Sequence, residues 1–368
     1  MAGGINSVDM MVAMANAGML ASFGAGGLPE PVVEAAILEA KERIPSGRYC
    51  FNLLHNHTDP KAEASIVDLY LKHGIRRVSA SAFMQLTENV VRYRFKGIHK
   101  NKNGKVVVPN SVIAKVSRVE VATPFLCPAP KKMLDALVSS GSLTAEEASL
   151  ASGLPVATDV IAEGDSGGHT DQRPTTVLLP IMIQLRDKIA RENGYTAAIV
   201  PRIGAAGGMG SPASIWSVFS AGADFIVTGS INQCTPEAGT SDAVRELLSK
   251  ATSTDIDIGP APDMFELGAH VQVLSRGTMY AKRGERLYEI YRKYPSMDEI
   301  EPKERARIEK QIFKRTLDDV WEGTAAFWAE RDPAQLERAN RDPRHKMALT
   351  FRWYLGMTSR WARMGEAD

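Results

Sequence analysis

One histidine follows directly on a glycine pair in Glu163-Gly164-Asp165-Ser166-Gly167-Gly168-His169-Thr170, a segment that closes the strand-like run Ala157-Thr158-Asp159-Val160-Ile161-Ala162. With a pKa near ~6.5, a histidine can donate a proton or hydrogen-bond a developing oxyanion at neutral pH. Glycines beside it let the backbone lie close to a flat ligand. Glu163 and Asp165 are candidates to orient His169, and Asp171, Gln172 and Arg173 are near enough in sequence to touch a substrate. Further on come Ile203-Gly204-Ala205-Ala206-Gly207-Gly208-Met209-Gly210-Ser211-Pro212 and Ile226-Val227-Thr228-Gly229-Ser230. Gly204, Gly207, Gly208 and Gly210 free the backbone to turn N–H groups toward an anion. Ser211 reads as an N-cap and Pro212 as the first residue of a helix, whose start favours phosphate. Thr228-Gly229-Ser230 offers a second set of donors. Tight turns alone explain either glycine run; both together, after the last two strands of a barrel, read as a phosphate site. Beside His169 they suggest a flavin ring whose phosphate the two loops hold.

Lys115 stands inside the strand-like run Val112-Ile113-Ala114-Lys115-Val116-Ser117, and alternation places it on the face of Ile113 and Ser117. Such a charge is costly unless it meets an anion, and the electron-rich N1/O2 edge of a reduced flavin is one. A lysine snorkelling from a strand end is the other reading. Asn52, in Cys50-Phe51-Asn52-Leu53, either reads a ring edge or caps a loop. His55 and His57 are spaced as a loose pair with no adjacent carboxylate cluster, a weak metal signal. The basic and aromatic tail Lys346-Met347-Ala348-Leu349-Thr350-Phe351-Arg352-Trp353-Tyr354-Leu355 reads as a helix that packs on the body, with a docking face as the alternative.

These residues need strands that end together. Strand-like and helix-like segments alternate, which predicts a parallel sheet with helical crossovers. Helices are expected over 8–17, 29–44, 60–73, 176–193 and 212–221, and strands over 19–23, 48–54, 75–82, 112–117, 157–162, 196–201 and 224–228. A β-hairpin is expected within 90–109, turning at Lys102-Asn103-Gly104-Lys105. Residues 130–151 read as helical, with Ser142-Leu143-Thr144-Ala145-Glu146-Glu147 as a helix start. About seven strands are of barrel type, and an eighth would end at Met1-Ala2-Gly3-Gly4. The expected fold is therefore α/β, a (β/α)8 TIM barrel whose first strand is truncated. It spans 1–258 with a hairpin and helical insertion over about 85–155, and a helical lid or C-terminal extension over 259–368. Helical periodicity runs over 287–294, 302–330, 334–341 and 344–363.

The chain of 368 residues has a net charge of +1, so nothing in it argues for nucleic acid or an anionic membrane. Cys50, Cys127 and Cys234 are scattered and form no redox or metal motif, which suits a reducing, cytoplasmic setting. The apolar first twenty residues carry Asp9 and lack a basic start, against a signal peptide. No apolar run approaches the ~20 residues of a membrane span.

Asp165-Ser166-Gly167-Gly168-His169 resembles the signature of the nitronate monooxygenase-like flavoprotein superfamily, which are FMN-binding TIM barrels. More narrowly, Met1-Ala2-Gly3-Gly4-Ile5, the segment 163–174, Gly229-Ser230-Ile231-Asn232-Gln233 and the tail 347–361 resemble the PfaD-type enoyl reductases. Those act in trans in polyunsaturated fatty acid and polyketide synthases, and the likeness runs over nearly the whole chain. The resemblance implies FMN, NADPH as co-substrate, and an enoyl thioester on an acyl carrier protein, reduced at its 2,3-double bond. It implies other synthase subunits as partners and is compatible with a homodimer. Carried over to this sequence, it makes Ala2, Gly3, Asn52, Ser81, Lys115, Gly168, Gly204, Gly207, Gly208, Gly229 and Ser230 the FMN contacts. It makes His169 the active-site histidine, holding the thioester oxygen as enolate charge develops or protonating the α-carbon. Three alternatives stay open: a nitronate monooxygenase, an inactive carrier-protein docking or scaffold component, and a metal-dependent barrel lyase built on His55 and His57.

Overall fold

Side chains alternate across a strand, and the strands here sort cleanly by face. Leu53, Ala80, Ala114, Val160 and Ile203 share one register row and are all buried, a covered face of small and branched residues. The neighbouring row on the opposite face is Asn52, Ser79, Ile113, Asp159 and Arg202, mostly polar. Helices cover the first face; the second carries the candidate chemistry.

This computed structural model describes residues 2–55 and 60–366. Its strands are β1 (Ala21–Phe23), β2 (Tyr49–Leu54), β3 (Arg77–Ser81), β4 (His99–Lys100), β5 (Val106–Val107), β6 (Ser111–Val116), β7 (Asp159–Glu163), β8 (Gly168–His169), β9 (Arg202–Ala206), β10 (Phe225–Val227), β11 (Ile256–Pro260) and β12 (His270–Leu274). Seven of them form one parallel, curled α/β sheet in the order β1-β2-β3-β6-β7-β9-β10. Among the described residues no eighth strand joins it. Instead Gly3 N donates to Gly26 O at 2.8 Å and Gly4 N to Gly24 O at 2.9 Å, while Gly239 N donates to Ile5 O at 2.9 Å. The segment 3–6 thus bonds both to the exit of β1 and to the chain beyond β10, as the tail of a strand between them would.

The chain divides into two compact units, Met1–Ser166 with Asp171–Gly239, and Gly167–Thr170 with Thr240–Asp368. The boundary falls roughly twenty residues earlier than the 258/259 expected, and the second unit claims the His169 segment. Within the first unit, helix Pro212–Ser220 starts as read, with Ser211 capping and Pro212 in the first turn. The hairpin is β4 with β5, and Asn101 Oδ1 accepts from Asn103 N and Lys105 N in its turn. It is shorter than expected, because Glu88–Phe95 is a helix capped by Thr87. Thr144 and Glu147 form the anticipated capping box of helix Ala145–Ala151, and Glu147 also accepts from Gly97 N at 2.7 Å. The strand expected over 196–201 is a correction: it lies at 202–206. Ile199 N and Val200 N both bond back to Thr196 O, a helical turn, and Pro201 has no N–H for a ladder.

The second unit is not wholly helical. β11, β12 and β8 form an antiparallel sheet in that order, the central strand pairing His169 with Val271. Helices Tyr280–Lys293, Leu317–Arg331 and Pro343–Met364 bury a core that includes Phe265, Leu287, Phe313, Phe351 and Tyr354. No described helix is long and apolar enough to cross a membrane.

Candidate active site

The loops that follow β9 and β10 carry the glycines singled out above, and the structure separates them by role. Gly204 is not in a loop. It lies in β9, where an added Cβ would sit 2.3 Å from the Phe225 ring, so side-chain packing alone accounts for it. Gly207 (φ 91°) has backbone on its Cβ side as well, with Asp165 O at 2.5 Å, because the loop after β7 presses on the loop after β9. Gly210 has only Ile231 near, at 3.7 Å. At Gly208 and Gly229 a Cβ would meet nothing within 4 Å. Among the described residues, the N–H groups of Gly207, Gly208 and Gly229 have no backbone acceptor. Such donors beside the start of helix Pro212–Ser220, with empty space where side chains of Gly208 and Gly229 would stand, are what a phosphate needs. Ser230 opens a short 3-10 turn there.

On the polar face of the sheet, Asn52 Nδ2 donates to Ser79 O at 3.0 Å and Ser81 Oγ at 3.1 Å, which joins two of the predicted contacts. A Cβ at Gly26 would lie 3.4 Å from both Asn52 Oδ1 and the Ala2 side chain, and Gly3 bonds to the same residue, so these predicted contacts also gather. Lys115 emerges on the face alternation assigned to it. Its Nζ donates to Glu163 Oε1 at 2.6 Å, and Ser166 Oγ donates to the same oxygen at 3.2 Å. The lysine therefore meets its anion inside the chain, and Glu163 serves Lys115 rather than His169.

Gly168 and His169 belong to the second unit, on β8. His169 Nε2 lies 2.8 Å from Asp263 Oδ1. Partial burial raises the Asp263 carboxyl, but the hydrogen bond and charge of His169, helped by Arg352, outweigh it and hold the group below its usual range. Asp263 was not foreseen: it stands 94 residues from His169, and no motif surrounds it.

Asp171 also has a role the sequence did not show. It takes Arg118 in a two-pronged pair at 2.9 and 2.7 Å and accepts from Ser117 Oγ at 2.5 Å. The bond from Arg118, working against partial burial and aided by Ser117, brings its carboxyl down to about 2. His55 Nδ1 lies 2.6 Å from buried Glu63 and stacks on Phe83. His57 lies outside the described residues. Among the described residues no cluster of three metal-ligating side chains occurs.

Comparison with known proteins places this geometry. A family model described as nitronate monooxygenase matches residues 1–264, and one described as the inserted helical domain of acyl-carrier-protein S-malonyltransferase matches residues 294–368. A polyunsaturated fatty acid synthase polypeptide of Thraustochytrium sp. is 48% identical over 370 residues, 100% of this chain and 25% of that protein. Polyketide biosynthesis protein PksE of Bacillus subtilis is 44% identical, over 98% of this chain and 47% of its own length. The chain thus spans between a quarter and a half of the length of these two relatives. The crystal structure of the enoyl reductase domain of MlnA, from the macrolactin biosynthesis cluster of Bacillus amyloliquefaciens, superposes with a TM-score of 0.94 at 38% identity, covering 100% of this chain and 82% of that one. A FabK mutant from Thermotoga maritima, at 20% identity and a TM-score of 0.51, shares the fold over 77% of this chain and 74% of its own.

Proposed function

Because the chain belongs to the nitronate monooxygenase family, we propose that it is an FMN-dependent enoyl reductase of a polyunsaturated fatty acid or polyketide synthase. It takes reducing equivalents from NADPH and saturates the 2,3-double bond of an enoyl thioester on an acyl carrier protein. The observation that carries this reading is the match of the MlnA enoyl reductase domain to the entire chain. The synthase proteins among its relatives support the acyl carrier protein and other synthase subunits as partners.

The residues present fit FMN. Gly207, Gly208, Gly229 and Ser230 would hold its phosphate through backbone N–H groups and the helix start at Pro212. Ala2, Gly3, Asn52, Ser81 and Lys115 would line its ring, with the lysine offsetting negative charge there. Gly168 stays in the proposed set as the neighbour of His169; for Gly204, packing against Phe225 is sufficient explanation. FMN, when bound, would supply the hydride chemistry between the nicotinamide and the enoyl thioester. His169 hydrogen-bonds the thioester oxygen as enolate charge develops there, or gives the α-carbon its proton.

The experiment is flavin retention after incubation with FMN and desalting, followed by NADPH oxidation with crotonyl thioester. The wild type is expected to stay yellow and turn over. His169→Ala is expected to stay yellow and lose roughly 100-fold or more in turnover. Unchanged turnover in that variant removes His169 from the reaction. Oxygen uptake with propionate-3-nitronate in place of enoyl reduction would favour a nitronate monooxygenase, which the family's own description supports. A folded, colourless protein overturns the cofactor assignment.

A further inference from the structure

Resting on that reading of His169, we propose that Asp263 is the positioning residue of the reaction: it fixes the His169 ring and holds it ready to act as a proton donor. A histidine at a strand end can rotate about two side-chain bonds, and a catalytic imidazole needs one orientation and one tautomer. A carboxylate bonded to one ring nitrogen sets both and favours the protonated ring. Here Asp263 takes Nε2 at 2.8 Å.

The chain that carries the carboxylate is itself held, while the His169 and Asp263 side chains are 50% and 62% exposed. Asp263 lies on the link between β11 and β12. Ala261 N donates to Ala269 O at 2.8 Å and closes that link. Tyr280 Oη donates to Pro260 O at 2.6 Å just before it. Arg352, reaching from helix Pro343–Met364, donates from Nε to Pro262 O at 2.7 Å, next to Asp263 in the chain. Arg352 is in turn stacked over Trp328, 5.9 Å from its ring centre. His169 is fixed from the other side by the pairing of β8 with β12. One end of the bond therefore sits on β8 of the small sheet and the other on the link between its two other strands. The charged and titratable groups facing Asp263 are His169, Arg352 and Tyr280. Beyond Arg352 lies Glu266, paired with buried His345 at 3.0 Å. One run of hydrogen bonds and charges thus leads from the long C-terminal helix to the proposed catalytic ring. In this role the second unit aims the side chain that it carries.

The test uses the FMN-loaded full chain and Asp263→Asn, which keeps the shape and removes the charge, with Asp263→Glu as the conservative variant. Expected for Asp263→Asn are unchanged flavin retention, a kcat for crotonyl thioester lowered about 10- to 100-fold with KM within about threefold, and partial recovery in Asp263→Glu. An NMR titration of the His169 ring, assigned with His169→Gln, is expected to show its pKa fall in Asp263→Asn, since the lost carboxylate favoured the charged form. A merely structural aspartate moves melting temperature and this titration but leaves kcat unchanged. The proposal is overturned if Asp263→Asn turns over within twofold of wild type, or if the His169 titration does not move. If the wild type binds FMN but reduces no enoyl thioester, the functional reading itself fails. A shifted His169 titration would then mark the pair as structural only, so the two failures are told apart.

Discussion

A glycine is informative only when the space around its missing side chain is known. Gly204 and Gly229 look alike in the sequence, yet the Phe225 ring fills the first space and nothing within 4 Å fills the second. Their substitutions should therefore separate. Gly204→Val should cost about 1–3 kcal/mol by overpacking, read as a lower denaturation midpoint, and leave FMN affinity per folded molecule unchanged. Gly229→Asp should keep the midpoint and weaken FMN at least about tenfold, because a carboxylate would stand where the proposed phosphate site needs close backbone approach. Equal FMN affinity in Gly229→Asp and wild type would take this loop out of the phosphate site. Lys115 shows the same point for charge. Its strand face follows from alternation, but its partner Glu163 sits 48 residues away.

At the scale of elements, the first unit ties its returning chain firmly after the four-residue excursion that carries His169. Asp171 marks the return and is bound by Arg118 and Ser117, at the exit of β6. Its carboxyl, lowered to about 2, makes the tie pH-dependent. The folded value lies below the ordinary 3.8, so the stabilisation is complete well above 3.8 and is lost as pH falls through that value toward 2. Asp171→Asn should lower Tm at pH 7 by about 2–4 °C, the response of a large domain to ~1 kcal/mol. The gap to wild type should narrow as pH drops from about 4 to 2. A gap that persists at the acid end would mean that the residue acts through shape rather than charge. The elements misplaced by sequence reading have local reasons. Pro201 and the turn at Thr196 push β9 later, and Thr87 caps a helix that shortens the hairpin. β11 and β12 were legible in principle, as Ile256-Asp257-Ile258 and Val271-Gln272-Val273 alternate with period two.

On the scale of the whole molecule, each unit has its own apolar core. In the second, Phe351 is fully buried against Phe265 and Phe313, with ring centres 6.5 and 6.0 Å away. Phe351→Ala should cost about 3–5 kcal/mol there. Calorimetry should show a transition moved to lower temperature, while FMN, whose proposed phosphate and ring contacts are almost all in the first unit, still titrates to saturation. Loss of FMN binding in step with that transition would show that the two cores do not melt separately. Much of this protein was determined by local sequence alone. The order of parallel strands and helices, the capped helix at Ser211, the capping box at Thr144 and the face of Lys115 all follow from periodicity, caps and turn chemistry, which act within a few residues. The likeness of Asp165-Ser166-Gly167-Gly168-His169 to a known signature was also readable without coordinates. Only the tertiary structure decided that His169 shares a unit and a hydrogen bond with Asp263, that Glu163 belongs to Lys115, and that Gly204 serves Phe225. Those pairings join residues far apart in the chain. Alternation can state which face a side chain takes, but which partner it meets there depends on register and packing across strands that no local pattern encodes.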